Sequence, residues 1–211
     1  MEFIDEKIQQ YAETFTTQEN EILKQLNRDT HAKILMPRML SGHLQGQFLS
    51  MISCMIHPEK ILEIGTYTGY SAICLAKGLK PNGILHTIDI NEELETFVSE
   101  YFEKANLKNK IQYHIGNAIE IIPQLNETFD LVFIDADKEN YCNYFDLVID
   151  KVKSGGYILA DNVLWSGKVL EDKKDKDTLS IHHYNQKIML DTRVENILLP
   201  IRDGIMIARK L

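Results

Sequence analysis

Four residues at the ends of two apolar runs carry the most legible chemistry. The run FDLVFIDADK (129–138) leads to Asp135, with Lys138 close behind, and the run YILADN (157–162) ends on Asp161 and Asn162. If both runs are neighbouring parallel strands, their ends stand about 4.8 Å apart. Asp135, Asp161 and Asn162 then offer three hard oxygens to Mg²⁺, Mn²⁺ or Ca²⁺. Octahedral positions stay open for a bidentate substrate and water. Zinc is disfavoured, because none of the seven histidines forms a ligand-spaced set. Lys138 could orient or deprotonate a substrate hydroxyl there. Plainer readings stay open: strand-end acids that cap following helices, and a surface lysine paired with Asp135 or Asp137.

A second group surrounds a glycine turn, Glu63-Ile-Gly65-Thr-Tyr-Thr-Gly69-Tyr-Ser71. Gly65 can take positive φ, and Gly69 can let a ligand approach the backbone. The G-x-x-x-G spacing misses the dinucleotide fingerprint, and no Lys-Ser/Thr pair follows to make a P-loop. Glu63 stands inside an apolar run, where an unpaired carboxylate is costly. Asp89 ends the next apolar run, where an acid suits ribose hydroxyls. Glu63 would repel a pyrophosphate and attract a cation. The pair therefore favours S-adenosylmethionine, with its ammonium and sulfonium, over a nicotinamide dinucleotide. A simple tight turn, and Asp89 as an acid at a helix N-terminus, are the competing readings.

These residues need a scaffold that brings strand ends together, and the remaining pattern supplies one. The first 57 residues read helical: Ile8, Tyr11, Ala12 and Phe15 keep helical spacing, as do Ile22, Leu23 and Leu26. Ser41 can cap a third helix, which His57-Pro58 ends. Strands then alternate with helices. Strands are expected over 61–65, 84–88, 111–115, 131–134 and 157–160, with helices over 70–79, 91–105, 118–122, 140–152 and 179–190. Residues 195–199 and 204–208 read as a closing hairpin. Such alternation predicts a parallel sheet covered on both faces, with the ligand at the carboxyl ends of the strands. No linker separates the helices from the sheet, so we expect one domain over 1–211, with 1–57 as helical cover and 58–211 as the cofactor-binding core. The seven consecutive charges 171–177 read as a solvated loop or a mobile lid.

The chain has 211 residues, a net charge of −8 and 26% charged residues. That is enough chain to bury a full core, and disorder is not expected. No apolar run reaches the ~18 residues of a membrane span, and the start MEFIDEKIQQ lacks a signal-peptide core. Cys54, Cys74 and Cys142 read as reduced core thiols of a cytoplasmic protein. The acidity argues against broad nonspecific nucleic-acid binding, although not against a local basic patch.

Together the motifs LEIGTYTGYS (62–71), IDIN (88–91), GNA (116–118), FDLVFIDADKENY (129–141), GGYILADNVLWSGKV (155–169) and LPIRDG (199–204) resemble the cation-dependent class I O-methyltransferases. That group contains the catechol and caffeoyl-CoA enzymes and bacterial relatives, and the likeness spans about residues 35–211. The resemblance implies a Rossmann-like, doubly wound α/β fold, its seven strands in the order 3-2-1-4-5-7-6 with strand 7 antiparallel. It implies that Met39, Ser41 and the turn Glu63–Ser71 line the cofactor pocket, with Gly65, Thr66, Tyr67 and Gly69 in that turn. Glu63 and Ser71 would hold the amino-acid end of S-adenosylmethionine and Asp89 the ribose, with Asn117 and Ala118 flanking the adenine. Asp135, Asp161 and Asn162 would bind Mg²⁺ (or Mn²⁺ or Ca²⁺). Lys138, beside Asp135, would be the base. Members are commonly homodimers.

The chain departs from the pattern at Asn117, where relatives often have Asp, and at Pro37 and Asp137, where animal catechol enzymes carry gating aromatics. Trp165 reads equally as a substrate wall or as loop packing. The expected reaction is methyl transfer to one hydroxyl of a catechol-type or similar small acceptor, releasing S-adenosylhomocysteine. The alternative is transfer to 5-hydroxyuridine in tRNA, for which Lys168, Lys173, Lys174, Lys176, Arg202 and Arg209 could form a patch. A cofactor-binding scaffold without turnover and a nicotinamide enzyme are the remaining readings.

Overall fold

The computed structural model describes residues 5–211. The first four residues, part of the expected helical cover and of the leader reading, lie outside the described residues. Among the described residues the cover has three α-helices, α1 (Glu6–Thr14), α2 (Glu21–Lys33) and α3 (Gly42–Ile56). Asn20 caps α2 by accepting from the Leu23 N–H at 2.9 Å. Ser41 precedes α3 but makes no side-chain capping bond, so the expected cap is corrected.

The rest alternates as predicted: β1 (Lys60–Ile64), α4 (Tyr70–Ala76), β2 (Ile84–Asp89), α5 (Glu95–Lys104), β3 (Ile111–Ile115), α6 (Ala118–Gln124), β4 (Phe129–Ile134), α7 (Tyr141–Ile149), β5 (Val152–Ala160), α8 (Lys176–Leu190), β6 (Val194–Leu199) and β7 (Ile205–Lys210). The seven-stranded sheet has the order β3-β2-β1-β4-β5-β7-β6. β7 runs antiparallel to both β5 and β6. β5 starts earlier than expected, because Gly155 and Gly156 lie inside it. The register against β4 shifts there, and Gly155 takes φ +80°, a bulge that glycine tolerates. The charged run is also partly helical: Asp175 accepts from Thr178 N–H at 2.8 Å, so Lys176 and Asp177 open α8 rather than finishing a loop.

Period-two alternation divides the core. Leu62, Ile64, Val132, Ile134 and Ile158 face α6, α7 and α8, where Ile122, Phe145, Ile181 and Tyr184 are buried with them. Ile61, Leu85, Leu131, Phe133 and Leu159 face the other way, onto α4, α5 and the cover. Leu26 of α2 and Leu49 of α3 are fully buried in that second layer. Each such burial contributes about 1.5–3 kcal/mol. Cys74 is buried, Cys142 half-buried and Cys54 exposed. The expectation of three core thiols is therefore corrected at Cys54, which lies on the outer face of α3. No helix among the described residues is long and apolar enough to cross a membrane.

Candidate active site

Strand register builds the site. Ile64 pairs with Ile88 on one side and Ile134 on the other, and Ile134 pairs with Ala160. The ladder continues past the strands: Gly65 N–H donates to Ile88 O at 2.9 Å, Asp135 N–H to Ile64 O at 2.8 Å, and Asp161 N–H to Ile134 O at 3.0 Å. Gly65, Asp89, Asp135 and Asp161 thus stand along one edge, at the carboxyl ends of the parallel strands. They open into a cleft of about 1950 Å³.

Gly65 has φ +100°, and a Cβ there would lie 1.9 Å from the Asp135 carbonyl oxygen. Only glycine lets the β1 turn approach β4 so closely. Gly69 differs from expectation. Its φ is +83°, a Cβ would meet the Phe102 ring at 2.7 Å, and it is absent from the cleft wall. Its small size serves packing against α5, not ligand approach.

Asp89 does not cap a helix. Its Oδ2 accepts from the N–H groups of Thr66 at 3.0 Å and Tyr67 at 2.7 Å. Its Oδ1 accepts from Asn91 N–H at 2.9 Å. The acid ties down the glycine turn, and the second lone pair of Oδ1 remains for a ligand hydroxyl. Asn117 caps α6, accepting from Ile119 N–H at 3.0 Å. Asn117, Ala118, Met39, Ser41, Thr66, Tyr67 and Ser71 all line the cleft.

Glu63 is fully buried beneath the turn. Its Oε2 accepts from the Thr87 hydroxyl at 2.5 Å, while its Oε1 makes no full hydrogen bond and has the Ser71 side chain nearby favouring its charge. Burial pushes its carboxyl up to about 8. A buried carboxylate with an open acceptor behind the Gly65 and Ser71 part of the cleft wall fits an ammonium donor, as the amino-acid end of S-adenosylmethionine would supply.

The second centre gathers around Lys138. Its ammonium donates to Asp135 Oδ1 at 3.2 Å, Asn162 Oδ1 at 2.9 Å and the Tyr141 hydroxyl at 2.6 Å. It lies 5.7 Å from the centre of the Trp165 ring. Asp161 is 3% exposed. Burial, then the charge of Asp135, holds its carboxyl above the ordinary range. Among the described residues no three His, Cys, Asp or Glu side chains gather to hold a metal; this site has two carboxylates and an amide. One cation already spans Asp135 and Asn162, and Asp161 is close enough to Asp135 for the two charges to repel. That donor set fits a hard divalent ion.

Backbone strain concentrates at the same edge. Asn162 (φ 58°), Trp165 (φ 47°) and Ser166 (φ 52°) adopt left-handed conformations and line the cleft. Such conformations persist where surrounding contacts over-determine them. Here the Asp203 carboxylate accepts from Ser166 N–H at 2.5 Å. Trp165 is half-buried, packs partly against the α7–α8 core and also lines the cleft.

Sequence reasoning missed Gln45, Tyr141 and Asp203, and read Arg202 only as part of a basic patch. Tyr141 is fully buried, donates to the Asp161 carbonyl at 3.0 Å and accepts from Lys138. Tyr141 and the pair Arg202-Asp203 lay inside recognised motifs, which was the available signal. Gln45 had none, since its partners stand far away in sequence.

A family model described as O-methyltransferase matches residues 13–211. The chain is 35% identical over 206 residues to caffeoyl-CoA O-methyltransferase 5 of Nicotiana tabacum, covering 92% of this chain and 85% of that one. The crystal structure of an O-methyltransferase from Bacillus cereus in complex with SAH superposes with a TM-score of 0.89 at 29% identity, covering 97% of each chain. An O-methyltransferase of Streptomyces achromogenes involved in tomaymycin synthesis, solved in complex with SAM, gives a TM-score of 0.88 at 26% identity. The match covers 97% of this chain and 96% of that one.

Proposed function

The chain belongs to the O-methyltransferase family as an S-adenosylmethionine-dependent enzyme of the caffeoyl-CoA type, and on that premise we propose that it methylates one hydroxyl of a vicinal pair on a small acceptor, with a divalent metal. The observation that carries this reading is that the Lys138 ammonium already bridges Asp135 and Asn162, with Asp161 near enough to Asp135 for the two charges to repel, within one cleft of the glycine turn.

Glu63 and Ser71 would hold the amino-acid end of the cofactor, Asp89 the ribose, and Asn117 and Ala118 the adenine edge. Met39, Ser41, Thr66 and Tyr67 complete that wall. Gly69 shapes the turn from behind. Asp135, Asp161 and Asn162 would hold Mg²⁺, Mn²⁺ or Ca²⁺. When bound, such an ion lowers the pKa of a coordinated phenol, ordinarily near 10. Lys138 takes up the hydroxyl proton or, as ammonium, holds the oxyanion. The acceptor oxygen bonds to the methyl carbon as the carbon–sulfur bond breaks, and S-adenosylhomocysteine leaves. Trp165 would flank the acceptor ring. The remaining rate gain is positioning.

Most of the cations considered for an RNA patch have partners within the fold. Lys168 pairs with Asp175, Lys176 with Glu139 and Arg209 with Glu195. Arg202 is bound to Ser41 and Gln45. This favours a small acceptor over tRNA. On the same reading the chain acts as one domain, in the cytoplasm, as a homodimer. The test is transfer of labelled methyl to a panel of vicinal diphenols and to bulk tRNA, with Mg²⁺ or with EDTA. We expect diphenol methylation only with metal. Full transfer in EDTA would overturn the metal role, and transfer to tRNA alone would overturn the acceptor class.

A further inference from the structure

Gln45 belongs to the helical cover yet is completely buried at the metal end of the cleft. Its Nε2 donates to Asp161 Oδ2 at 2.6 Å. Its Oε1 accepts from Arg202 Nη1 at 2.7 Å. The same guanidinium donates to the carbonyls of Ser41 and, at 3.4 Å, Leu40. A guanidinium has only donors. It therefore fixes which end of the Gln45 amide it meets and turns the NH₂ toward Asp161. The other carboxylate oxygen, Oδ1, accepts from Asn162 N–H at 2.7 Å. Both oxygens of Asp161 are thus pinned, one by the backbone of the next residue and one by the cover.

We propose that Gln45 and Arg202 are positioning residues that act through Asp161. They hold its carboxylate in the orientation a divalent cation needs, and they tie that orientation to the Leu40–Ser41 wall of the cofactor pocket. The inference rests on the metal reading above. Arg202 is itself held at φ 50° in the turn before β7, a conformation this network over-determines. Outer partners of ligating carboxylates commonly alter metal affinity by about 10–100-fold. Glu at position 45 could accept from Arg202 but could not donate to Asp161 when ionised.

The test is Mn²⁺ binding to the full chain, followed by the electron-spin resonance of free Mn²⁺, with S-adenosylhomocysteine binding measured by calorimetry. We expect Gln45→Met to weaken Mn²⁺ by about 10–100-fold while S-adenosylhomocysteine affinity stays within about twofold. Arg202→Met should weaken both ligands, because it also releases the Ser41 wall. In turnover, Gln45→Met should raise the apparent KM for Mg²⁺ while kcat at saturating metal is retained, a split that general destabilisation does not produce. A folded Gln45→Met protein that binds Mn²⁺ like the wild type overturns the proposal. If that variant does not fold, the wild type decides: the Gln45 side-chain amide resonances should shift on Mg²⁺ addition, and unmoved resonances overturn the proposal. Asp161→Ala separates the premise. If the wild type binds no Mn²⁺, or Asp161→Ala binds it equally well, the metal reading fails rather than the relay.

Discussion

The ammonium of Lys138 stands 2.9 Å from the side-chain oxygen of Asn162, across a gap between two strand ends. Asn162 reaches it only because its backbone is left-handed, at φ 58°, a conformation asparagine tolerates better than most residues. Lysine and amide are thus mutually placed before any acceptor arrives.

Lys138→Met should lower kcat by about 10²–10⁴-fold, the usual contribution of a positioned acid–base group. S-adenosylhomocysteine affinity should be little changed. Lys138→Arg should not rescue, since a planar fork cannot reproduce a compact ammonium among three acceptors. Single-turnover methyl transfer with calorimetry measures both. Undiminished turnover in Lys138→Met removes the lysine from the chemistry.

Glu63 makes apo-protein stability fall with rising pH. Its folded-state value is raised to about 8 from an ordinary 4.5, so between these values the folded chain binds the proton more tightly than the unfolded one. Stability is then lost as pH climbs through that window. Urea unfolding of the apo protein at the two ends of the window should show the decline, and Glu63→Gln should flatten it. A pH-independent wild type would contradict the burial argument.

The same carboxylate should bind the cofactor ammonium only when ionised. S-adenosylhomocysteine affinity is therefore expected to rise with pH up to about 8. Glu63→Gln should weaken binding on the order of 100-fold, as for loss of one partner of a buried charged pair. Calorimetry across pH reads both effects.

Gly65→Ala should destabilise the fold by at least about 2 kcal/mol, combining a strained backbone with overpacking. Its added methyl would fall 1.9 Å from the Asp135 carbonyl oxygen. Chemical denaturation checks this, and a variant as stable as the wild type would show that the β1 turn and β4 can part cheaply.

Trp165→Leu separates acceptor from cofactor. It should raise the acceptor KM by about 10-fold, a typical effect of reshaping a substrate pocket, and leave the KM for S-adenosylmethionine unchanged. Equal effects on both would make Trp165 a packing residue alone.

The sequence made the strand-end chemistry legible because it is local. Asp135 and Asp161 follow apolar strands whose parallel pairing could be inferred from the alternation of elements, and the observed Ile134–Ala160 pair puts them side by side. What stayed hidden depends on distance along the chain. Gln45 reaches Asp161 across 116 positions and Arg202 reaches Gln45 across 157, and no periodicity encodes such meetings. Gly69 misled for a related reason: glycine spacing shows that a side chain must be absent, not which neighbour requires it. Ser41 had the right identity for a cap, but its backbone is already helical, at φ −56° and ψ −39°, so its hydroxyl is not in the usual capping geometry.

The position of β7 has a consequence for synthesis. It follows every other strand in chain order, yet it lies between β5 and β6, and the turn leading into it carries Arg202 and Asp203. A nascent chain can form β1 to β5 and the glycine turn as these leave the ribosome. The guanidinium that orients Gln45 and the carboxylate that fastens Ser166 arrive only with the insertion of this strand. The glycine turn can therefore form before the Ser41 wall, Gln45 and Ser166 are fastened, and ribosome-bound chains lacking β7 should fold that turn first.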